Sequence, residues 1–353
     1  MTADLVLPLP ESIEVVDRRG GGFEGRSVLS KFVPFDNSVP DERADFLCTE
    51  GLGTGAFGQV LKLVSPRDGR VVAAKICAYT NCRHPHLAVD AAENERRRAE
   101  DVAMLREEFT SLDDLQQGGA RFIPEIFGFR LLNGREPAIL MECLGANLGG
   151  LVENEHVHAL SDASLVVAME DMISALAEIH ALGWAALDLK PENFCLTRDN
   201  RHGIAVKLVD FGMMERVDWA AVEEVDFAAP VFRPRIKGTL SYTPRAAFLQ
   251  TALSPVDNFE ALFYVAMRLA GEDINWWAAA GIPSFAMKRA FWKNGGAIRS
   301  PLLADCFAIL RACPRHSPFA HSLLVEALRF VVREFGESVA PDTEPFPQLL
   351  HFH

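Results

Sequence analysis

The sequence predicts an α+β fold in which a small β-rich part is followed by a larger, mainly helical part. Over residues 46–79, short apolar stretches alternate with turn residues, which is typical of antiparallel strands. Beyond about residue 145, apolar residues recur instead at helical spacing. The length of 353 residues provides material for about two domains of ordinary size.

Turn residues separate the predicted strands of the first part. Residues 66–69 read Pro-Arg-Asp-Gly and lie between two apolar runs, a pattern typical of a hairpin turn. Residues 88–117 are rich in Ala, Glu and Arg and predict a helix, which Gly118 and Gly119 end. The segments predicted as strands around these features are 61–64, 71–74, 126–131 and 138–143.

Two long helices are predicted in the second part. Ser161 or Asp162 can cap the first of them, and Gly271 closes the second. Each predicted helix carries one apolar face. The two faces consist of Leu165, Met169, Met172, Leu176 and Ile179, and of Phe259, Leu262, Phe263, Ala266 and Leu269.

The chain is expected to divide into four segments. Residues 1–44 contain three consecutive glycines and scattered prolines without sustained periodicity, which predicts a loosely ordered extension. The β-rich part is expected over 45–144 and the helical part over 145–335. Residues 336–353 are expected to form a tail.

The charge balance and the cysteines limit the classes of partner and compartment. Acidic residues outnumber basic ones by 48 to 35, so the net charge of −13 disfavours nucleic acid and anionic membrane as partners. The seven cysteines form no C-x-x-C pair, which favours reduced thiols. With no signal peptide and no long apolar run, we expect a cytoplasmic protein, with the nucleus as the alternative location. We also expect a monomer.

A glycine-rich segment lies between two strand-like stretches near the start of the β-rich part. Gly53, Gly55 and Gly58 lie between Leu52 and Val60, and glycines allow backbone amides to approach phosphate groups closely. A dinucleotide-binding turn needs a helix directly after the third glycine, whereas here a strand continues. The pattern is therefore a weak signal for a nucleotide-covering hairpin.

Lys75 follows Val60 by 15 residues and stands near the end of an apolar strand. Behind a glycine hairpin, its ammonium is placed to bind nucleotide phosphates. The alternative is a lysine that extends from a strand edge into solvent, which is the commoner situation.

Four polar residues follow the first long helix at spacings that suit phosphoryl transfer. Asp188, Lys190 and Asn193 supply a base, a cation and a neutral oxygen ligand for Mg²⁺, and Asp210 opens an Asp-Phe-Gly motif 22 residues after Asp188. The alternative for the first three is a solvated loop. The Asp-Phe-Gly motif at this spacing makes that alternative weak.

In this order the motifs resemble those of the eukaryotic protein kinases, over about residues 46–335. Within that superfamily the chain is most similar to the casein kinase 1 group and its tau-tubulin kinase branch. The stretches that carry this finer resemblance are 139–145, 233–242 and 254–262, and, as in that group, the usual Ala-Pro-Glu is absent.

The resemblance implies a bilobal protein-kinase fold that binds ATP and Mg²⁺. It implies that Asp188 orients the substrate hydroxyl and accepts its proton, that Lys190 lies near the γ-phosphate, and that Asn193 and Asp210 hold Mg²⁺. Asp257 would support the catalytic loop. The nucleotide would be bound by Gly53, Gly55 and Gly58 of the hairpin, by Lys75, by Leu52, Val60, Ala73 and Cys195 around the adenine, by Met141 at the back, and by backbone groups of Glu142 and Leu144.

The resemblance also requires a helix glutamate that holds Lys75. Glu108 fits best because Leu112 and Leu115 follow it at helical spacing. Glu107 and Glu100 stay open as alternatives, and either can instead lie on the helix surface.

The chain departs from the family pattern where Ala186 and Leu187 replace the usual His-Arg before the catalytic Asp. Since the groups that touch nucleotide, metal and hydroxyl remain, we expect an active kinase. A lysine after the catalytic Asp indicates serine or threonine as the acceptor. The competing hypothesis is a pseudokinase that serves as an ATP-binding or protein-binding scaffold.

Two further expectations concern regulation and substrates. An arginine normally binds the phosphorylated activation loop, and Leu187 offers no donor, so activity is expected to be independent of loop phosphorylation. Arg233, Arg235 and Lys237 form a cationic cluster that we expect to attract acidic or already phosphorylated protein substrates, with a solvated loop as the alternative.

Overall fold

The computed structural model forms two compact units. The first comprises Met1–Gln117 and Pro124–Cys143, and the second comprises Gly118–Ile123 and Leu144–His353. The residues that the structure describes are 12–13, 15–17, 46–54, 58–77, 91–133, 136–153, 158–198, 203–223, 225–229, 236–249, 251–279, 281–339 and 346.

The first unit is built on a seven-stranded sheet. The strands are β1 (Ser12–Ile13), β2 (Val15–Asp17), β3 (Phe46–Thr54), β4 (Gly58–Val64), β5 (Val71–Cys77), β6 (Ile126–Leu132) and β7 (Glu136–Glu142). Their order across the sheet is β1-β6-β7-β5-β4-β3-β2. The hairpin predicted across residues 66–69 is confirmed: β4 and β5 pair antiparallel, with Val64 opposite Val71, and Gly69 takes the positive φ of 72° that the turn requires.

The two outermost strands come from the segment that the sequence predicts to be loosely ordered. Ser12–Ile13 pairs in parallel with β6 at one edge of the sheet, and Val15–Asp17 pairs in parallel with β3 at the other. Strands of two and three residues are too short to show an alternating pattern, and backbone pairing needs no particular side chain. No sequence pattern therefore predicts these two strands.

The first unit packs a long helix on the sheet face that carries Lys75 and has a core of buried side chains on the opposite face. Helix α1 (Ala91–Gln117) packs on β5, β6 and β7, in agreement with the helix predicted to end at Gly118. Residues 88–90 of that prediction lie outside the described residues. The sheet core consists of Phe46, Cys48, Leu61, Leu63, Val72, Ala74, Ile76, Leu132, Ala138 and Leu140.

The second unit is mainly helical and carries two small antiparallel strand pairs. Its helices are α2 (Leu148–Val152), α3 (Asp162–Ala181), α4 (Arg245–Phe248), α5 (Pro255–Leu269), α6 (Ile282–Asn294), α7 (Pro301–Ala312) and α8 (Pro318–Ser338). The strands are β8 (Trp184–Ala186), β9 (Phe194–Leu196), β10 (Val206–Leu208) and β11 (Met214–Arg216), and β9 pairs with β10 and β8 with β11. Within the described residues, no helix is long and apolar enough to cross a membrane.

Both predicted long helices are confirmed. Ser161 caps α3, since its hydroxyl accepts from the Ser164 N–H at 3.3 Å. Ser254 and Asp257 form a reciprocal capping box at the start of α5. All ten apolar residues of the two predicted faces are buried. Because nearly the whole of α5 is buried, it forms a rigid centre against which the functional loops of this unit are held.

Candidate active site

Lys75 lies in β5, and its ammonium is buried within the first unit. Its Nζ lies 2.6 Å from Oε1 of Glu108 in α1, and the two side chains are 8% and 3% exposed. Of the alternatives, Glu107 is exposed, and Glu100 pairs with Arg96 at 2.6 Å on the exposed face of the helix. The structure therefore selects Glu108 as the partner of Lys75.

The helix presents Glu108 inward because its neighbours on the same face are apolar. Leu105, Leu112 and Leu115 precede and follow it at three, four and seven residues, and each is at most 2% exposed. A buried ion pair of this kind requires both partners, since loss of one leaves an uncompensated charge.

The glycine hairpin has one position at which a side chain has no room. A Cβ at Gly58 would lie 2.3 Å from the carbonyl oxygen of Ile76, so β4 approaches β5 too closely for any other residue. A Cβ at Gly53 would meet nothing within 4 Å. The adjacent Leu52 is exposed, and Gly55 lies outside the described residues.

Strand register brings the other predicted nucleotide-binding residues of the first unit together. Val60 lies opposite Lys75 across β4 and β5, and Ala73 lies opposite Met141 across β5 and β7. Ala73 and Met141 are 4% and 9% exposed. Glu142 follows Met141 at the end of β7.

Two more of the predicted nucleotide-binding residues lie at the start of the second unit. Leu144 is its first residue after β7, and its carbonyl accepts from Arg198 Nε at 3.2 Å. The following Gly145 donates its N–H to the Leu196 carbonyl at 2.7 Å. Strand β9, which contains the half-buried Cys195, is thereby held beside the backbone that follows Leu144.

The carboxylate of Asp188 is fixed by three donors. Lys190 Nζ lies 2.7 Å from one oxygen, while the backbone N–H and the hydroxyl of Thr239 donate to the other at 2.6 and 2.7 Å. A carboxylate held in this way cannot rotate freely, which suits a group that must receive a proton from one direction. The sequence assigns no role to Thr239, which falls only within the stretch 233–242 that carries the finer family resemblance.

A close backbone approach explains why a glycine precedes Thr239. Gly238 has a φ of 84°, and a Cβ there would lie 2.3 Å from the Leu187 carbonyl oxygen. The Leu187 N–H in turn donates to the Met213 carbonyl at 2.9 Å. The backbone beside Asp188 is thus enclosed on both sides.

Asn193 and Asp210 are brought together by the backbone. Val209 donates its N–H to the Asn193 carbonyl at 2.7 Å, which places Asp210 one residue from that bond. Asp210 has a φ of 66°, a left-handed conformation that is uncommon outside glycine. Phe211, the next residue, is 2% exposed and anchors the turn.

The donor atoms of this pair fit a magnesium ion. The side-chain nitrogen of Asn193 donates to the Asp188 carbonyl at 2.8 Å, which orients the amide and turns its oxygen to the opposite side. An amide oxygen and the carboxylate of Asp210 are ligands that Mg²⁺ accepts. Since Mg²⁺ is a hard cation, oxygen ligands suffice and no cysteine sulfur is needed.

A family model of the protein kinase domain matches residues 46–244, more than half of the chain. The chain belongs to the protein kinase family. The predicted kinase fold, with a β-rich N-lobe and a helical C-lobe, is confirmed.

Individual relatives are distant. The smooth muscle myosin light chain kinase of Gallus gallus is 29% identical over 186 residues, which is 52% of this chain and 8% of that protein. Myosin light chain kinase family member 4 of Mus musculus is 24% identical over 211 residues, 60% of this chain and 47% of that one. The kinase domain thus spans less than half the length of these curated relatives.

Among solved structures, one titled vaccinia related kinase 3 superposes with a TM-score of 0.58 at 15% identity, covering 84% of this chain and 89% of that one. This likeness concerns the fold alone. The finer resemblance to the casein kinase 1 group stays a prediction from the sequence motifs.

One predicted role in the kinase domain is wrong. Asp257 does not support the catalytic loop: its Oδ2 accepts from the Ser254 N–H at 2.7 Å, and its carboxylate pairs with Arg315 at 2.6 Å. The next residue, Asn258, accepts from the Ala186 N–H at 3.0 Å and donates to the Ala186 carbonyl at 2.9 Å. One residue along a helix turns a side chain by about 100°, which sequence spacing did not resolve.

Asn258 is itself oriented by a histidine. His180 Nε2 lies 3.0 Å from Asn258 Oδ1, and His180 Nδ1 lies 2.9 Å from Nε2 of His321 in α8. Burial lowers the pKa of His180 to about 3, so the ring is neutral. Since Asn258 Oδ1 accepts, the proton of His180 is on Nε2, and His321 donates to its Nδ1.

A buried carboxylate supports the strand pair next to the Asp-Phe-Gly turn and gives a pH-dependent prediction. Asp171 in α3 accepts from the N–H groups of Ala205 and Val206 at 2.7 and 2.8 Å. Burial raises its pKa to about 6 from 3.8, against the opposing effect of these two bonds. The folded protein therefore holds this proton more tightly than the unfolded chain, so the stabilisation is present below about pH 4 and lost as pH rises through 6.

We expect Asp171→Asn to remove this dependence. As the pH rises from 4.5 to 7.5, the free energy of unfolding of the variant should increase relative to that of wild type. The difference should approach roughly 3 kcal/mol, because each unit of pKa shift corresponds to about 1.4 kcal/mol. Urea unfolding over this pH range measures the difference. The exposed Asp273→Asn is the control, and a wild-type-minus-variant difference that stays flat with pH would contradict the prediction.

Proposed function

We propose that the protein is a serine/threonine kinase that transfers the γ-phosphoryl group of Mg-ATP to hydroxyls of protein substrates. The observation that carries this proposal is the Asp188 carboxylate, held between Lys190 and Thr239. The 2.6 Å contact between Lys75 and Glu108 supports the proposal, since it holds the cation that would bind the nucleotide phosphates.

The roles of the individual groups follow from their chemistry. Asp188 orients the acceptor hydroxyl and takes up its proton, while Lys190 offsets the charge that develops on the transferred group. Lys75, fixed by Glu108, binds the phosphates. Asn193 and Asp210 would hold Mg²⁺, which supplies charge neutralisation of the phosphates when bound.

Lys190 and Thr239 also favour serine or threonine over tyrosine. Lys190 stands two residues after Asp188, where a lysine is typical of serine/threonine kinases, and both Lys190 and Thr239 contact the Asp188 carboxylate at 2.7 Å. One further relative, the serine/threonine-protein kinase ULK3 of Xenopus laevis, is consistent with this acceptor class. That relative is 25% identical over 179 residues.

The casein kinase 1-like character and the substrate preference are part of the same proposal. Lys237 forms an ion pair with Glu215, which lowers the charge it offers to a substrate. Arg233 and Arg235 lie outside the described residues. We expect all three to attract acidic or phosphorylated protein segments, with the protein acting as a cytoplasmic monomer.

The decisive experiment is phosphoryl transfer from labelled ATP to a peptide library, with the phosphorylated residues identified by mass spectrometry. We expect wild type to label serine and threonine, Asp188→Asn to lose at least about a hundredfold of the rate, and the exposed control Asp273→Asn to match wild type. Equal labelling by wild type and Asp188→Asn would disprove the proposed role.

A second candidate function rests on the replacement at 186–187. Ala186 occupies the position of the usual histidine and contributes only a buried methyl group, at 7% exposure. If wild type binds ATP but transfers no phosphate in the same experiment, the protein is a nucleotide-binding scaffold.

Leu187 yields a prediction about regulation. With no side-chain donor at this position, a phosphorylated loop residue has no arginine to bind, so phosphorylation should not be needed. We expect phosphatase-treated protein to act without a lag, and Leu187→Arg to leave the rate within about twofold. Progress curves before and after phosphatase treatment test this. A lag that an added kinase removes would count against it.

A further inference from the structure

Lys288 in α6 is a lysine with no exposed surface, at 0%. Its Nζ donates to the carbonyls of Leu240 and Thr243 at 2.9 and 2.6 Å. Trp276, in the turn before α6, donates its indole N–H to the Ser241 carbonyl at 3.1 Å. Three carbonyls within the four residues 240–243 are therefore bound by these two side chains.

The surroundings of the ammonium are aromatic and only weakly acidic. Nζ lies 4.6 Å from the ring centre of Tyr264 and 5.5 Å from that of Phe248. Burial lowers the pKa of Lys288 to about 7, with Glu260 opposing the change. Glu260 is itself bound to Arg245 at 3.0 Å, so it does not neutralise the lysine by direct contact.

An ammonium in such a place is an unfavourable way to fill a core. An alkyl side chain of the same length would occupy the volume without losing the hydration of a charge. The lysine supplies two N–H donors, which an alkyl group lacks. These donors bind the carbonyls of Leu240 and Thr243, which lie in the loop before α4 and take part in no helix hydrogen bond.

The bound stretch begins directly after Thr239, whose N–H and hydroxyl hold the Asp188 carboxylate. The Thr239 carbonyl accepts from the N–H groups of Tyr242 and Thr243 at 2.9 and 3.1 Å. Any displacement of 240–243 is thus passed to Thr239 through a short turn. The usual Ala-Pro-Glu, absent here, cannot provide this anchorage.

We propose that Lys288 and Trp276 are positioning residues that clamp the backbone of 240–243, so that Thr239 keeps Asp188 oriented and a protein substrate meets a fixed surface at this stretch. This inference rests on the proposed kinase activity, and the test separates the two.

The test compares Lys288→Met, which keeps the length and removes the donors, with Lys293→Met on the exposed side of the same helix. Amide hydrogen exchange is measured across 239–243, and kcat and KM for peptide are measured with the ATP dissociation constant. We expect exchange at least tenfold faster in Lys288→Met, kcat lowered about tenfold to a hundredfold, and ATP affinity unchanged. Lys293→Met should match wild type in all three.

Further variants distinguish positioning from simple structural support. Removal of the buried charge should offset the loss of donors to the Leu240 and Thr243 carbonyls, so Lys288→Met should melt close to the wild-type temperature at pH 6. A purely structural residue would lose stability and activity together. Lys288→Gln, which keeps an N–H donor, should recover part of kcat. Trp276→Phe, which keeps the ring and loses the donor, should speed exchange at Tyr242 and Thr243.

Unchanged exchange in Lys288→Met and Trp276→Phe would overturn the clamp, whatever the activity. If wild type transfers no phosphate, the proposed function fails, and hydrogen exchange alone decides whether the clamp exists. A parallel fall of melting temperature and kcat without rescue by Lys288→Gln would also overturn it.

Discussion

Replacing Lys75 with methionine is expected to reduce phosphoryl transfer by at least about a thousandfold and to destabilise the protein by about 3–5 kcal/mol. The activity falls because the cation for the phosphates is gone. The stability falls because Glu108, whose side chain is 3% exposed, keeps its charge without the ammonium 2.6 Å away. Steady-state kinetics and urea unfolding measure the two effects.

A matched pair of controls separates them. Lys62→Met removes an exposed ion pair with Glu50 at 3.2 Å and should change stability by less than about 1 kcal/mol. Adding Glu108→Gln to Lys75→Met should restore much of the stability and none of the activity. A double variant as unstable as Lys75→Met would show that the pair does not act as a unit.

The second large effect is expected for Asn258→Leu. This change leaves the N–H and carbonyl of Ala186 and the Nε2–H of His180 without their partner inside the core, where each such group costs about 1–3 kcal/mol. We expect a loss of at least about 3 kcal/mol, and a kcat at least about tenfold lower because Ala186 is two residues from Asp188.

The outcome is checked by urea unfolding and by kcat at saturating ATP. Asn258→Asp keeps the acceptor and loses the donor, so its effects should be intermediate, while Asn294→Leu at the exposed end of α6 should match wild type. If Asn258→Leu retains wild-type kcat per folded molecule, the amide does not position the catalytic loop.

Much of the fold and of the site could be predicted because the relevant residues stand at fixed spacings. The short loops and strand ends that carry these residues leave their backbone little conformational freedom. The residues are Lys75, Asp188, Asn193 and Asp210. The sequence could only rank Glu108 first among the helix glutamates. It stands 33 positions after Lys75, and the helix has to be placed against the sheet before its inward face is known. The apolar faces of the two long helices followed directly from their period.

The rest depended on contacts between distant segments. Asn258 and Asp257 are both buried and polar, and only the rotation of α5 decides which one meets Ala186. Lys288 is followed by an arginine and precedes Lys293, a pattern typical of a solvated helix face, so nothing in the sequence marked it as buried. Its environment comes from α4, α5 and the turn before α6.

Ser12–Ile13 and Val15–Asp17 pair with opposite edges of the sheet. This pairing affects both the self-association of the protein and the substitutions that these residues tolerate. An open edge presents backbone N–H and carbonyl groups that recruit strands from other molecules. A shortened protein that begins at residue 46, where the kinase-domain match starts, would expose both β3 and β6 and should self-associate more readily. Because the protection comes from backbone bonds, these few residues should accept most side chains but not proline.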